Sequence, residues 1–366
     1  MATCIWPQMA KLFNYQRALP GLEDALTEAF RRVLHSGHLV LGPETEQFEI
    51  EFARWVGAKH CVGVSSGTAA LCLSLRAIGL QPGDEVITVS NTCPPTISAI
   101  LEAGGIPVFV DVEPETLMMD VTKVQAAITP ATRCIIPVHL WGNSVNLDSL
   151  MSLSERHNLA VIEDCAQATG TRFRERQVGS FASTGCFSFY PTKNLGCYGD
   201  GGAVITNDDN IAKRLRMMRV YGYDKTPVST VAGVNARPSE LQSAFLRVRM
   251  RQLDDQLARR TDNANRLVSQ LDADLLPETS AHTDHSYHQF VLRVECRKYA
   301  SQLLDRAGIQ WGIHYETPTH IMPAFRNFSC SLPVTETAAR HIISIPVHEN
   351  LTTSEMDVIC DALTRL

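Results

Sequence analysis

One lysine occupies a setting that suits imine chemistry. Lys193 follows the β-like run GCFSFY (185–190) and precedes the glycine-rich run GDGG (199–202). An amine just past a strand can reach into a cleft, where desolvation and a nearby cation would lower its pKa and free the lone pair that attacks an aldehyde. Surface solvation is the commoner role of a lysine, so this residue alone does not decide between the two.

A carboxylate and a phosphate-binding turn add two further signals. Asp164 ends the apolar run VIED (161–164), and an acid at such a strand end could pair with a protonated pyridine nitrogen. The run SSGT (65–68) precedes a helix whose free N–H groups favour a phosphate, and the Ser188 hydroxyl could donate to the same group. A loop-capping aspartate and a simple N-cap are the structural alternatives. Aldehyde, ring nitrogen and phosphate all belong to pyridoxal phosphate (PLP), the cofactor on which the three signals converge.

The elements that must position these residues alternate between strand and helix. Short apolar runs and helical segments follow one another from about residue 60 to 206, which predicts a mostly parallel central sheet covered on both faces. Further on, one long helix over 239–273 and several shorter segments predict a smaller α+β domain. The expected division is a large cofactor-binding α/β domain at 1–245 and a small C-terminal domain at 246–366.

Two amphipathic helices are predicted ahead of the sheet, and they belong to the large domain. The first covers 21–35, with Leu22, Leu26 and Phe30 at helical spacing on its apolar face. The second covers about 44–56.

Composition excludes several other classes of protein. The 366 residues carry a formal net charge of -6, so no basic surplus exists to bind a nucleic acid. The eleven cysteines show no metal-ligand spacing, which argues against a metal site, and free thiols at this density suggest a reducing compartment. The N-terminal 1–13 has no long apolar stretch and no run approaches the ~20 residues of a membrane span, so we expect neither signal peptide nor membrane association but a cytoplasmic enzyme.

Blocks of sequence throughout the chain resemble the DegT/DnrJ/EryC1/StrS family of fold-type-I PLP aminotransferases. The resemblance extends roughly from Phe13 to the end of the chain. Its blocks are VSSGTAAL (64–71), ITVSNTCPPTISAILEAGGIPVFVDVEPETLMMD (87–120), PVHLWGNSVNLDSL (137–150), VIEDCAQATG (161–170), FSFYPTKNLGCYGDGGAVITND (187–208), GVNARPSELQSAFL (233–246), GIHYETPTH (312–320) and SIPVHENLT (344–352).

The resemblance implies catalytic roles for two residues and a cofactor contact for a third. Lys193 is similar to the lysine that carries PLP as a Schiff base and moves the proton during transfer. Asp164 is similar to the acid that pairs with the ring nitrogen. Gln167 stands where the family has His or Gln near the phenolic oxygen of PLP.

The resemblance also implies the phosphate ligands and the assembly. Gly67, Thr68 and Ser188 resemble ligands of the PLP phosphate. Asn235 resembles the asparagine that reaches the cofactor phosphate of the neighbouring subunit, which implies a homodimer with shared active sites. A turn residue is the structural alternative for Asn235.

One position departs from the family, and four others are candidates for the substrate side. Where relatives usually place an aromatic residue over the PLP ring, this chain has Cys93, so a thiol contact replaces ring stacking or the aromatic comes from elsewhere. Tyr315 and His320 are expected on the substrate side, with a structural turn as the alternative. Tyr221 and its neighbour Arg219 occupy a stretch where relatives carry a polar residue near the sugar.

The implied activity is amino transfer from an amino acid, usually L-glutamate, to a keto group of a nucleotide-linked deoxysugar, for an antibiotic or a polysaccharide. An L-glutamine-dependent aminotransferase of a free keto-cyclitol such as scyllo-inosose is an alternative, as is a PLP-binding regulator without turnover. A PLP-dependent dehydratase is disfavoured because such relatives carry His in place of the lysine, and Lys193 is present.

Overall fold

The computed structural model describes residues 10–366. The absence of a signal peptide was predicted from a segment that lies mostly outside these residues. Within 10–366, no helix is long and apolar enough to cross a membrane.

Helices and strands alternate along the chain. The helices are α1 Tyr15–Ala18, α2 Glu23–Ser36, α3 Pro43–Val56, α4 Gly67–Ala77, α5 Pro94–Glu102, α6 Val121–Ala127, α7 Leu147–His157, α8 Asp209–Met218, α9 Glu240–Met250, α10 Leu253–Val268, α11 Arg297–Arg306, α12 Pro333–His341 and α13 Thr353–Leu363. The strands are β1 His60–Val64, β2 Glu85–Val89, β3 Ile106–Val110, β4 Thr132–Ile135, β5 Ala160–Asp164, β6 Arg172–Phe173, β7 Arg176–Gln177, β8 Thr184–Ser188, β9 Gly202–Thr206, β10 Thr283–Asp284, β11 Phe290–Arg293 and β12 Ile342–Ile345.

A seven-stranded sheet forms the centre of the molecule, with strand order β1-β9-β8-β5-β4-β2-β3. The pairings from β3 through β8 are parallel, and β9 runs antiparallel to both β8 and β1. Strands such as β5 and β9 are buried along nearly their whole length, as expected for a sheet covered by helices on both faces. The predicted α/β class with a mostly parallel central sheet is confirmed.

Sheet topology decides where a site can form. Parallel strands end at a common edge, and the strand order switches between β2 and β4, because β3 lies on one side of β2 whereas β4 and β5 lie on the other. Such a switch opens a crevice beyond the carboxyl ends of the strands. Asp164 is the last residue of β5, and Lys193 follows the end of the adjacent β8. The two residues are therefore brought together although 29 positions separate them in sequence.

The C-terminal part has a core of its own. Strands β11 and β12 pair antiparallel, and α10, α11 and α13 supply most of the other members of a separate apolar cluster, which also includes Ala10. This α+β character matches the predicted pattern. The boundary between 245 and 246 stays a prediction.

The predicted single helix over 239–273 is wrong, because two helices occupy this range. Helix α9 ends at Met250, and Gln252 has the non-helical φ of -112° before α10 begins. Helix α9 packs on α2 and α3, whereas α10 contacts α13. One straight helix could not present its buried face to both partners, so the chain breaks between them.

The first amphipathic helix forms as α2, but its predicted apolar face is partly wrong. Leu22, Leu26 and Val33 are buried against α9, together with Ala29. Phe30 is exposed because it lies one position round the helix from the buried stripe. The helix predicted at 44–56 forms as α3.

Candidate active site

A cavity of about 450 Å³ lies beyond the carboxyl ends of the central strands. Most of the residues predicted from the sequence line it: Gly67, Thr68, Cys93, Asp164, Gln167, Ser188, Lys193 and Tyr315. The segments that contribute to it are far apart in sequence, and the sheet brings their ends together. A volume of this size suits a bound cofactor and part of a substrate.

The loop that carries Lys193 is fixed by hydrogen bonds on both sides of the lysine. The Lys193 N–H donates to the carbonyl of Tyr190 at 2.8 Å. The side-chain amide of the next residue, Asn194, donates to the carbonyls of Thr169 and Ser286 at 3.1 and 3.2 Å. These hydrogen bonds hold the lysine backbone at the cavity wall.

Burial changes the chemistry of the Lys193 amine. Desolvation lowers its pKa from 10.5 to about 8, while Cys93 and the Asp164 carboxylate act in the opposite direction. A neutral amine is the nucleophilic form, so the lowered pKa places a useful fraction of it in that form near neutral pH. The arrangement therefore suits imine formation with an aldehyde.

Asp164 is held rigidly at the floor of the cavity. Its Oδ2 accepts from the Thr96 hydroxyl at 2.9 Å, and its Oδ1 accepts from the Ala166 N–H at 3.1 Å. Burial raises the pKa of the carboxyl group, whereas these two hydrogen bonds and nearby Lys193 lower it. A buried carboxylate with two fixed donors and open space before it suits a cationic partner such as a protonated ring nitrogen.

The amino end of α4 forms the opposite end of the cavity. The Ser66 side chain accepts from the Ala69 N–H at 3.1 Å, and the N–H groups of Gly67 and Thr68 have no acceptor within the helix. A Cβ on Gly67 would lie 2.7 Å from the Cβ of Ser188, so only glycine lets the helix end approach this hydroxyl. Free N–H groups, the helix dipole and a nearby hydroxyl suit a phosphate.

Gln167, Tyr315 and Cys93 form a polar chain along one wall. The Gln167 side chain accepts from the Trp141 N–H at 2.9 Å and donates through Nε2 to the Tyr315 hydroxyl at 2.7 Å. The Tyr315 hydroxyl in turn lies near the Cys93 thiol, whose pKa is raised by burial. Cys93 therefore presents a protonated thiol to the cavity, which a ring can contact but which does not stack as an aromatic side chain would.

Four predicted residues do not line this cavity within one chain. Asn235 and Tyr221 are exposed on a separate surface segment. His320 is fully buried, with Nδ1 2.6 Å from the Ser90 hydroxyl and Nε2 3.4 Å from Glu336. Arg219, the candidate beside Tyr221, is also buried and pairs with Glu49.

The structure adds residues that the sequence patterns did not identify. Thr96 supports Asp164, and nothing in its local pattern separates it from a buried helix residue. Phe13, His288 and His314 line the cavity from the N-terminal segment and the C-terminal part. His314 lies inside the conspicuous block GIHYETPTH, which was a usable signal, whereas Phe13 and His288 reach the site only through tertiary packing.

A buried cluster behind Asp164 has donor atoms of metal-ligand type. His139, Glu163 and Cys165 bring their donor atoms within 4.8 Å of one another. The Glu163 carboxylate already accepts from the N–H groups of Gly179, Phe181 and Ala182 at 2.7 to 3.0 Å, and from His139 at 3.1 Å. These bonds satisfy the carboxylate without an ion.

Comparison with known proteins agrees with the geometry of the cavity. The profile of the DegT/DnrJ/EryC1/StrS aminotransferase family matches residues 20–364. Erythromycin biosynthesis sensory transduction protein EryC1 from Saccharopolyspora erythraea is 44% identical, covering 96% of this chain and 97% of the relative. The dTDP-3-amino-3,4,6-trideoxy-alpha-D-glucose transaminase of Micromonospora megalomicea subsp. nigra is 42% identical, covering 99% and 98%.

Solved structures give the same result. The crystal structure of S. venezuelae DesV in complex with a ketimine intermediate superposes with a TM-score of 0.94 at 40% identity, covering 97% of each chain. Related structures have been solved with PLP or its amino form, pyridoxamine phosphate (PMP). The full-length match, the shared fold and the cavity lead to one conclusion: the chain belongs to the DegT/DnrJ/EryC1/StrS aminotransferase family and is a PLP-dependent transaminase.

Proposed function

We propose that this enzyme transfers an amino group from an amino acid, L-glutamate in the first instance, to a keto group of a nucleotide-linked deoxysugar. The single observation that carries the proposal is the cavity in which the Lys193 amine and the Asp164 carboxylate meet the amino end of α4. Support for the sugar comes from the transaminase of Micromonospora megalomicea, whose name specifies a dTDP-linked amino-trideoxyglucose. The product would be an aminosugar nucleotide.

We assign the central chemistry to Lys193 and Asp164. When bound, PLP supplies an aldehyde that captures amines and a ring that accepts the electrons released at the donor's α-carbon. Lys193 would hold PLP through its side-chain amine and would carry the proton as general base and acid. Asp164, oriented by hydrogen bonds from Thr96 and Ala166, would pair with the ring nitrogen and favour its protonated state.

The remaining cofactor contacts follow from the positions of the side chains. Gly67, Thr68 and Ser188 would bind the phosphate at the amino end of α4. Cys93 and Gln167 line the same cavity as Asp164 and Lys193, so we assign them to the ring, with Gln167 at its phenolic oxygen. Tyr315 receives the Gln167 hydrogen bond and is our candidate on the substrate side.

We further propose a homodimer with shared active sites. Asn235 and Tyr221 are exposed in a single chain, which is where residues that complete a neighbour's site must lie. In this arrangement Asn235 would donate to the phosphate held by the other subunit. A direct role of His320 on the substrate requires its buried ring to be uncovered, so a supporting role behind the cavity is more consistent with its position. A reducing, cytoplasmic location agrees with the ten free cysteines among the described residues.

Two other functions predict different outcomes in one assay. The holoenzyme is mixed with L-glutamate or L-glutamine and a panel of dTDP-, UDP- and GDP-linked keto sugars beside scyllo-inosose, and aminated products are identified by mass spectrometry. Turnover of a nucleotide-linked sugar supports the proposal, and turnover of scyllo-inosose alone contradicts it. The name of one relative, a sensory transduction protein, supports the second alternative, a PLP-binding regulator without turnover. Failure of every amino donor to change the absorbance of the bound cofactor would favour it.

The lysine assignment has its own test. Borohydride reduction of the holoenzyme followed by peptide mass spectrometry should place the pyridoxyl group on Lys193. Lys193→Ala should lose both the adduct and the absorbance near ~400–430 nm that is expected of a PLP imine. An adduct at another lysine, or an active variant, overturns the assignment.

A further inference from the structure

A histidine from the C-terminal part reaches the active-site cavity and has no role in the chemistry assigned to Lys193 and Asp164. His288 lies two residues before β11 and lines the cavity that contains Lys193. Only 3% of the residue is exposed. Its Nδ1 lies 3.3 Å from Oδ1 of Asn194, whereas its Nε2 has no hydrogen-bond partner among residues 10–366. One ring nitrogen is therefore bound to the lysine loop, and the other is available to a ligand.

The hydrogen bonds of Asn194 determine which nitrogen of His288 carries the proton. The amide nitrogen of Asn194 donates to the carbonyls of Thr169 and Ser286 at 3.1 and 3.2 Å. The amide oxygen is therefore the atom that faces His288, and it can only accept a hydrogen bond. Nδ1 of His288 must be the donor, and in a neutral ring this leaves a lone pair on Nε2. Nε2 is thus a hydrogen-bond acceptor.

The surroundings of His288 keep its ring neutral. Burial lowers the pKa of His288 well below 6.5, and the charges of Lys193 and Arg260 lower it further. His314 acts in the same direction. Arg260 is fixed close by, because its Nη1 donates to the carbonyl of Tyr287 at 3.2 Å. The imidazole therefore presents a lone pair to the cavity and no proton.

We propose that Nε2 of His288 accepts a hydrogen bond from the hydroxyl group next to the keto carbon of the acceptor sugar. This inference rests on the proposed function. The reacting carbon of either substrate must reach the cofactor beside Lys193. His288 lines the same cavity and lies close enough to Lys193 for the lysine charge to affect its pKa, so it contacts groups near that carbon.

Only the sugar carries a suitable group near its reacting carbon. An amino acid has a carboxylate, a hydrogen and a carbon chain there, besides the amine that engages the cofactor, and an ionised carboxylate has no proton to donate. The keto oxygen and the phosphates of a nucleotide likewise only accept hydrogen bonds. A hydroxyl on the neighbouring sugar carbon is a donor. An unprotonated nitrogen in this position therefore selects the hydroxyl and acts on the acceptor half of the reaction.

Binding of a keto sugar to the PLP form tests the contact apart from turnover, because no amine is present to be transferred. Isothermal titration calorimetry compares dTDP-linked 4,6-dideoxy-3-keto-glucose, in which C2 carries the only neighbouring hydroxyl, with its 2-deoxy analogue. The wild type should bind the 2-deoxy analogue about tenfold more weakly, the scale of one buried hydrogen bond. This comparison needs no variant, so it stands even where a substitution impairs folding.

Two variants of His288 separate its two nitrogens. His288→Asn should bind both sugars with the lower affinity, because its amide can still donate to Asn194 but no acceptor remains at the position of Nε2. His288→Gln can place an amide oxygen near that position and should restore part of the difference. His282→Asn is the matched control, an exposed histidine with a φ of 61° that Asn tolerates, and it should discriminate as the wild type does.

The outcomes separate this contact from the proposed function. A wild type that binds no keto sugar contradicts the proposed function. A wild type that binds the two sugars equally, or a His288→Asn variant that still prefers the hydroxyl, overturns the contact alone. In rapid kinetics, His288→Asn should lose more in the acceptor half-reaction, started from the PMP form, than in the donor half-reaction with L-glutamate. Equal loss in both also overturns the contact, because His288 would then serve only to hold the Lys193 loop through Asn194.

Discussion

The hydroxyl of Thr96 donates a 2.9 Å hydrogen bond to Oδ2 of Asp164, from the first turn of α5 to the end of β5. Thr96 is itself buried, and its hydroxyl also lies 2.8 Å from that of Thr92. The hydrogen bond from Thr96 fixes the orientation of the Asp164 carboxylate and lowers its pKa, which burial raises. Thr96 is thus a positioning residue for Asp164.

Thr96→Val should reduce turnover roughly tenfold, because a hydrogen bond to a charged group contributes about 1.5–3 kcal/mol. Without the Thr96 hydroxyl as hydrogen-bond donor, the pKa of Asp164 rises further. On acidification the carboxylate therefore becomes protonated at a higher pH than in the wild type. The acid limb of the pH–rate profile should therefore move to higher pH. A variant with lower activity but an unmoved acid limb would contradict the positioning role.

Asp164→Ala should lower turnover far more than Thr96→Val, on the order of 10²-fold or more, which is the scale for removing a preorganised electrostatic partner. The fold should survive, because the residue supplies charge and little packing. Circular dichroism and steady-state kinetics on the same preparation check both halves. Normal kinetics in a folded Asp164→Ala enzyme would remove the carboxylate from the mechanism.

Capture of PLP by the apoenzyme should accelerate as pH rises, with a midpoint near 8. The pKa of Lys193 is lowered to about 8 by desolvation, so at pH 7 roughly a tenth of the amine is neutral, and this fraction increases through the midpoint. Stopped-flow absorbance between pH 6 and 10 measures the rate. A midpoint near 10.5 would mean that the amine is as well hydrated as an ordinary lysine.

Gly67→Ala should weaken PLP binding about tenfold, because the new Cβ would lie 2.7 Å from the Ser188 Cβ. The amino end of α4 would then move away from the Ser188 hydroxyl, and the two could no longer bind the phosphate together. Gly21→Ala is the matched control, because nothing lies within 4 Å of its added Cβ. Equilibrium dialysis of PLP compares the two variants with the wild type. Equal affinities in both variants would show that the close approach is not needed.

Phe52→Ala should destabilise the protein by about 3–5 kcal/mol, the usual cost of removing a buried aromatic side chain. Phe52 is fully buried, with ring centroids 5.2 Å from both Phe187 and Phe189 at the end of β8. Phe30→Ala, at an exposed site of α2, should change stability little. Urea unfolding of the apoenzymes gives both values, and similar losses for the two would contradict the packing argument.

Much of this enzyme follows from local sequence. Periodicity and apolar runs predict the parallel sheet and most of its helices, because helices and buried strands each have a characteristic spacing of apolar residues. Lys193, Asp164 and the turn before α4 drew attention because each lies at or just past the end of a predicted strand, where a ligand can bind. Their roles were predicted from the resemblance to the aminotransferase family, because the local patterns alone also fit a solvated lysine, a loop-capping aspartate and a simple N-cap.

Tertiary structure decides everything that depends on distance between segments. The break between α9 and α10 arises because the two helices pack on different partners, a fact that no 11-residue window contains. Thr96 has ordinary local surroundings in the sequence, and only the folded chain places it beside Asp164. Sequence determines which groups are available, whereas desolvation and mutual approach, which set their pKa values and partners, exist only once the chain has folded.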